Sequence, residues 1–382
     1  MNKKDMFCPY AKKCGGCQLQ NMDYKRQLKF KQASVISLLG KFHRVNNIIG
    51  MENPYHYRNK VQAAFGLTRS GKIVSGVYQS SSHRIVNVDS CMTEDQTADE
   101  IIVAIRKMLP KFRILPYNED SRKGFLRHVL VKRSFSTGQI MVVLVGATAI
   151  FPQKTKFTNA LVSKFPEITT VVFNINPQKT SMVLGEREVV LFGEGYIEDR
   201  LCGLTFRISP KSFYQINAYQ TETLYNTAIE YANLTENDIV LDAYCGTGTI
   251  GLVASKHAKQ VVGVELNSDA VKDAKKNAKL NQITNTSFYN ADAGEFMVAL
   301  ADAGEKIDVV FMDPPRAGSD KNFLKSLLKL SPKRVVYISC NPATQKRDLF
   351  TLTKGGYKVR KIQPVDMFPH TSHVETVVLL EK

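Results

Sequence analysis

The chain has 382 residues, 43 % of them apolar, which is enough for two or more hydrophobic cores. Its formal net charge of +17 points to a polyanionic partner, and no apolar run approaches the ~18 residues of a membrane span. The basic N-terminus, MNKKDMFCPYAKKC, lacks the apolar stretch of a secretory signal, and seven unevenly spaced cysteines favour a reducing, cytosolic setting over a disulfide framework.

Four segments are expected. Residues 1–19 carry the first cysteines. Residues 20–49 read as a basic amphipathic helix packed on the C-terminal domain, with Leu28, Val35, Leu38 and Leu39 at helical spacing between lysines and Gly40 as a stop. The first fifty residues hold ten Lys/Arg against Asp5 and Asp23 only. Residues 50–207 change to short strand-like runs (VQAAFGLT, GKIVSGVY, HRIVNV, RHVLVKRSF, GQIMVVLVG, TTVVFNIN, EVVLFGEG). Helices near Ala98–Leu109 and Lys154–Lys164 interrupt them, which predicts a sheet-rich α+β domain.

From residue 208 to 382, helices alternate with short buried strands: IVLDAY, QVVGVEL, TSFYN, IDVVFMD, RVVYIS, YKVRKIQPV and HVETVVLL. That alternation predicts a Rossmann-like α/β domain with a parallel sheet covered on both faces. The short link before the last strand predicts that this seventh strand is reversed.

Ligands of such a sheet sit beyond the carboxyl ends of its strands, so the residues following each strand outline a site. After the first come Asp242 and DAYCGTGTIG, where Gly246 and Gly248 permit a tight turn beside a ligand. Glu265 follows the second strand, about twenty residues on, where an acid can bind ribose hydroxyls. Together they suggest a nucleoside-containing cofactor such as S-adenosylmethionine, with Asp292 after the third strand reaching the adenine edge. Cys245 is assigned to packing.

The fourth strand ends in MDPPRAG, a rigid corner presenting Asp313 and Arg316. Amino-methylating enzymes carry an aromatic where Arg316 stands, so a different target atom is implied. The fifth strand ends in ISCNPAT, where Asn341-Pro342 breaks the strand and turns Cys340 toward the ligand side. Glu375 opens the reversed last strand and is thereby carried to the same edge, with His373 two residues before it on one face. A thiolate and a carboxylate beside a methyl donor answer one chemical problem. Carbon 5 of uracil is too weak a nucleophile until a thiolate adds to carbon 6, and a base must then remove the carbon 5 proton. Cys340 and Glu375 fit these roles, with Asp313 and Arg316 positioning the base.

The motifs LDAYCGTGTIGL, GVELNSDAVKDAKKNAKLN, FMDPPRAG, ISCNPAT and DMFPHTSHVETV, with ISPKSFYQIN upstream, resemble those of the RNA uracil-5-methyltransferases. The resemblance implies a Rossmann-like methyltransferase domain and cofactor contacts from Gln215, Glu265 and Asp313. It also implies that Cys8, Cys14 and Cys17, in a C-x5-C-x2-C run, join Cys91 as ligands of a [4Fe–4S] cluster. The spacing suits structural zinc as well.

Some relatives begin with an extra RNA-binding β-barrel; this chain resembles the shorter branch, which implies 23S ribosomal RNA as substrate, with the tRNA T-loop as the alternative. Arg58, Lys60, Arg127, Lys132 and Arg133 are the expected phosphate contacts, and the target uridine must be unpaired or flipped. Cytosine-5 methylation, an iron–sulfur RNA-binding protein and a non-catalytic relic are the competing readings. Nothing in the sequence calls for an obligate protein partner.

Overall fold

A computed structural model of the chain describes residues 8–79, 82–179 and 182–382; the first seven residues of the cysteine-bearing segment lie outside the described residues. The chain divides into two compact units. One takes the chain up to Asn21, Asn53–Arg200 and Arg207–Lys211, and the other Met22–Glu52, Leu201–Phe206 and Ser212–Lys382.

The first unit is built on seven strands: β1 (Lys60–Leu67), β2 (Ile73–Tyr78), β3 (Ile85–Asn87), β4 (Leu126–Arg133), β5 (Ile140–Gly146), β6 (Ile168–Ile175) and β7 (Arg187–Phe192). Their order is β3-β2-β1-β4-β5-β6-β7. All neighbours are antiparallel except β5 and β6, which the helix Lys154–Lys164 connects as a parallel crossover. The helix Gln96–Met108 starts where Asp95 accepts from the Ala98 N–H at 2.9 Å. Its Ile101, Ile102 and Ile105 pack on alternate residues of β1, β4 and β5, such as Val61, Ala63, Val129, Val131 and Val142. Each such fully buried aliphatic side chain contributes about 1.5–3 kcal/mol.

A hairpin, β8 (Ile197–Leu201) and β9 (Leu204–Ile208), precedes the second unit's seven strands. These are β10 (Ile239–Asp242), β11 (Gln260–Glu265), β12 (Thr286–Asn290), β13 (Val309–Met312), β14 (Arg334–Ser339), β15 (Lys358–Val365) and β16 (Glu375–Glu381). They follow the order β12-β11-β10-β13-β14-β16-β15, with β16 antiparallel to both neighbours. The seven-stranded sheet with a reversed last strand is the one the hydrophobic runs predict. The strand order reverses between β10 and β13, which makes the carboxyl ends of these two strands the natural ligand crevice.

The helix Tyr24–Leu39 belongs to this unit; Asp23 caps it by accepting from Arg26 N–H at 3.0 Å. Val35 and Leu39 enter the core of the sheet domain. Its buried face differs from the leucine stripe read from the sequence. Gln27, Lys31, Val35 and Leu39 are buried, while Leu28 and Leu38 are only half-buried. Among the described residues, no helix is long and apolar enough to cross a membrane.

Candidate active site

Beyond β10, the chain turns at Gly246 (φ +54) and Gly248 (φ +83), both in the left-handed region that glycine adopts without penalty. A Cβ on Gly246 would meet nothing within 4 Å, so this side of the turn is open, whereas one on Gly248 would press on Ala274 and Phe288 at 3.1 Å. Glu265, at the end of β11, accepts from the Gly246 N–H at 3.1 Å and from the Asn267 N–H at 2.8 Å. The acid and the glycine turn are thus locked together. Asp242 is buried and accepts from the Gly251 N–H at 2.9 Å, tying β10 to the helix that follows the turn. Asp292 caps the helix Ala293–Asp302, with one carboxylate oxygen taken by the Glu295 N–H at 3.0 Å. Gln215 lies half-buried just before the helix Ala218–Ala232.

Cys340 stands one residue beyond β14. Asn341 then caps the helix Pro342–Lys354 by accepting from Ala343 N–H at 3.2 Å, and Pro342 occupies its first turn, where a missing N–H costs nothing. Cys340 therefore immediately precedes the N-cap at the positive end of a thirteen-residue helix. Register brings the carboxylate to it. Ile338 pairs with Val377 and Ser339 with Thr376, so the next position sets Cys340 across from Glu375. Residues opposite one another in antiparallel strands share a face.

The Asp313–Arg316 corner is fixed by that same helix. Asn341 Nδ2 and Thr344 Oγ1 donate to the Arg316 carbonyl at 3.1 and 3.3 Å, and Arg347 donates to the carbonyls of Ala317 and Ser319 at 3.0 and 2.8 Å. Asp348, fully buried, accepts from the Ser319 N–H at 2.9 Å and from the Tyr337 hydroxyl at 2.7 Å. Sequence patterns do not reveal these supports. Asp348 lies mid-helix, and only its burial marks it.

The charges at this edge are crowded. Burial pushes Asp313 up to about 7, and burial likewise raises Asp242 to about 7, aided by the nearby Asp313 and Glu265 and opposed by the Gly251 N–H. Glu375 is raised well above the usual carboxylate range, first by desolvation and then by the Asp313 charge, with Arg316 opposing. Burial, then Glu375 and Asp313, push the Cys340 thiol up to about 11 against the pull of the Arg316 charge and hydrogen bond. The four groups thus form one electrostatic set. Burial and the neighbouring carboxylates disfavour the charged forms of Cys340 and Glu375 in the ligand-free protein.

A cavity of about 260 Å³ opens beside the thiol, lined by Cys340, Arg316, Ser34, Leu38, His373 and Val374 among others. That is room on the scale of one nucleotide, below the ~300–1,000 Å³ of larger ligand sites. His373 reaches it from the loop before β16, since the strand starts only at Glu375 and not at His373 as the shared-face expectation required. Ser34 and Leu38 come from the N-terminal helix, a contribution the sequence did not announce.

In the first unit, Cys8, Cys14, Cys17 and Cys91 line a single small cavity of about 50 Å³ with Tyr10, Val61, Glu94 and Asp99. Burial raises the Cys17 thiol against the pull of Arg58, and burial with Glu94 pushes Cys91 up to about 12. As they stand, the described His, Cys, Asp and Glu side chains include no group of three or more arranged to hold a metal ion.

The expected phosphate contacts fare differently. Arg127 is 4 % exposed and pairs with Glu119 through Nε and Nη2 while Nη1 donates to the carbonyls of Asn176 and Gln178, so no guanidinium edge is left for a phosphate. Lys132 is buried and donates to the Ser209 carbonyl at 2.8 Å, and Arg133 pairs with Asp95 at 2.8 Å. The Arg58 Nε is buried without a hydrogen-bond partner, on a backbone paired with Thr93 and Asp95, and its charge acts on Cys17. Arg127 and Lys132 are internal because β4 is a central strand, which periodicity cannot distinguish from a solvent-facing one, whereas Arg133 at its end is half-buried.

The sequence profile described as tRNA (uracil-5-)-methyltransferase matches residues 23–382. An uncharacterized RNA methyltransferase of Clostridium acetobutylicum is 46 % identical, the match covering 100 % of this chain and 84 % of that protein. One from Staphylococcus aureus (strain MSSA476) is 43 % identical over 97 % of this chain and 83 % of its own. Among solved structures, the Pyrococcus abyssi tRNA (uracil-54, C5)-methyltransferase, in complex with S-adenosyl-L-homocysteine, is similar with a TM-score of 0.81 and 30 % identity. The match covers 96 % of this chain and 85 % of that one.

Proposed function

The chain belongs to the tRNA (uracil-5-)-methyltransferase family, and from that premise we propose that it methylates carbon 5 of a uridine in RNA, using S-adenosylmethionine and a covalent bond from Cys340 to carbon 6. The observation that carries the reading is the register of β14 and β16, which sets Cys340 across from Glu375 beside Asp313 and Arg316. The open glycine turn and the Glu265 carboxylate fixed to it suit a nucleoside, with Asp242, Asp292, Gln215 and Asp313 around it. The Pyrococcus abyssi relative, which binds S-adenosyl-L-homocysteine, supports that choice. When bound, the donor supplies a methyl group on a sulfonium whose carbon–sulfur electrons stay with sulfur.

Cys340, as the thiolate, adds to carbon 6, and the ring's π electrons move onto carbon 5 and its neighbouring carbonyl. Arg316 and the helix N-terminus favour that thiolate. Carbon 5 takes the methyl group. Glu375, as the carboxylate, then removes the carbon 5 proton; the freed electrons re-form the ring double bond and expel Cys340. Burial makes Glu375 a stronger base than a surface glutamate, which suits this last step.

The four cysteines line one cavity and are the donor type that a [4Fe–4S] cluster or zinc takes, but as they stand among the described residues they form no metal-holding group; a bound cluster would supply structure or RNA recognition. For the substrate, 23S ribosomal RNA is the first reading. A tRNA uridine is the second, favoured by the tRNA-modifying Pyrococcus abyssi relative. The test offers protein and labelled donor to unmodified 23S ribosomal RNA and to unmodified tRNA, followed by digestion to nucleosides. Labelled 5-methyluridine is expected from one of the two. Labelled 5-methylcytidine would show the wrong base, and no label in either RNA would contradict methylation.

A further inference from the structure

The loop between β15 and β16, residues 366–374, brings the chain to Glu375, and a set of buried polar side chains holds it. Lys31, 1 % exposed in the middle of the helix Tyr24–Leu39, donates to Asp366 Oδ1 at 2.5 Å and to the Phe368 carbonyl at 3.0 Å. Asp366 Oδ2 accepts from the Tyr24 hydroxyl at 2.9 Å, two turns before Lys31 on the same helical face. Gln27, fully buried one turn before Lys31, clamps His370 twice: its Oε1 accepts from the His370 N–H at 2.8 Å and its Nε2 lies 3.1 Å from His370 Nδ1.

The first of these bonds settles the second. The backbone N–H can only donate, so it fixes Oε1 on its side; the amide NH2 must therefore face Nδ1, which accepts. The ring proton then lies on Nε2. His370 itself has φ +69, a left-handed backbone that a non-glycine residue holds only when its surroundings insist. Asn217 Nδ2 donates to the Met367 carbonyl at 2.9 Å, and the Thr371 hydroxyl donates to the Phe368 carbonyl at 2.8 Å and accepts from the His373 N–H at 3.2 Å.

A buried lysine and a buried glutamine are costly to place on a helix whose apolar residues would serve packing better. Here each of them is spent on the loop that ends at Glu375. The same helix lends Ser34 and Leu38 to the cavity beside Cys340. We propose that the helix Tyr24–Leu39 sets the reach of Glu375, with Lys31 and Gln27 acting as positioning residues for removal of the carbon 5 proton. This rests on the covalent mechanism above. In that step the carbon 5–hydrogen electrons form the carbon 5–carbon 6 double bond, the proton passes to Glu375 and the carbon 6–sulfur pair leaves with Cys340.

A misplaced base leaves addition and methyl transfer intact and slows only the release of Cys340. The test follows single turnovers on the RNA methylated by the wild type, separating methylated RNA held covalently on the protein from free methylated RNA. Gln27→Leu removes both bonds to His370, and Lys31→Met with Asp366→Asn removes the buried charge pair together, so that no lone charge is left to unfold the protein. In both variants, adduct formation is expected within about threefold of wild type, while its release slows by about tenfold or more, so that adduct accumulates. Equal losses in the two steps would reduce Lys31 and Gln27 to fold stabilisers, and unchanged release would overturn the proposal outright. A wild-type protein that yields neither adduct nor methylated uridine would instead sink the covalent reading, and the inference with it.

Discussion

Cys340 owes its environment to burial and three neighbours pulling in two directions. Desolvation, Glu375 and Asp313 hold its proton, and Arg316 opposes them. With the thiol raised to about 11, only about one protein in ten thousand carries the thiolate at pH 7, and that fraction grows about tenfold per pH unit until the thiol titrates. Alkylation of Cys340 by iodoacetamide in the ligand-free protein, read on its peptide by mass spectrometry, is therefore expected to accelerate about tenfold per unit from pH 7 to pH 10. A rate that levels off by pH 8 would mean that the carboxylates do not govern this thiol. Glu375 shares the logic, since the burial that raises it well above the usual carboxylate range also makes it a stronger base once ionised.

At the scale of elements, the site is an edge made by strand register and stiffened by one helix. The helix Pro342–Lys354 carries Asn341 as its cap and Thr344, Arg347 and Asp348 within it, all bonded directly to the 313–319 corner or its flanks. Asp348→Ala strands the Ser319 N–H and the Tyr337 hydroxyl in a buried place, so urea denaturation should show a loss of roughly 2–4 kcal/mol. A loss below roughly 0.5 kcal/mol would mean that these bonds do not support the corner. How much of this was legible depends on the kind of signal. The strand ends LDAY, GVEL, FMDPPR and ISCNP could be read because each hydrophobic run stops where its functional residue begins, and a sheet puts all such ends on one edge. The supports could not, because a buried Asp348 looks like any mid-helix aspartate until its partners from other elements arrive. Lys31 is hidden for the same reason: in sequence it is one of several lysines interleaved with the apolar positions, yet it falls in phase with Val35 and Leu39 on the buried face.

For the whole molecule, the net charge of +17 still points to a polyanion, but the cations chosen from β4 and its surroundings are mostly internal ties. Total charge is a sum that sequence supplies; which lysines and arginines face outward is a property of the folded units. The two units also divide the chemistry unevenly. One gathers four cysteines about a small cavity, and the other brings Cys340, Glu375, Asp313 and Arg316 to the mouth of its sheet. The central claim is that Cys340 bonds to the uracil it methylates. RNA carrying 5-fluorouridine tests it directly, because a fluorine on carbon 5 cannot be removed as a proton and the adduct should persist. Incubated with S-adenosylmethionine and digested, the protein should yield a Cys340 peptide bearing a methylated fluoropyrimidine, lost in Cys340→Ala. An adduct on another cysteine, or none from a protein that does methylate ordinary uridine, would contradict the mechanism.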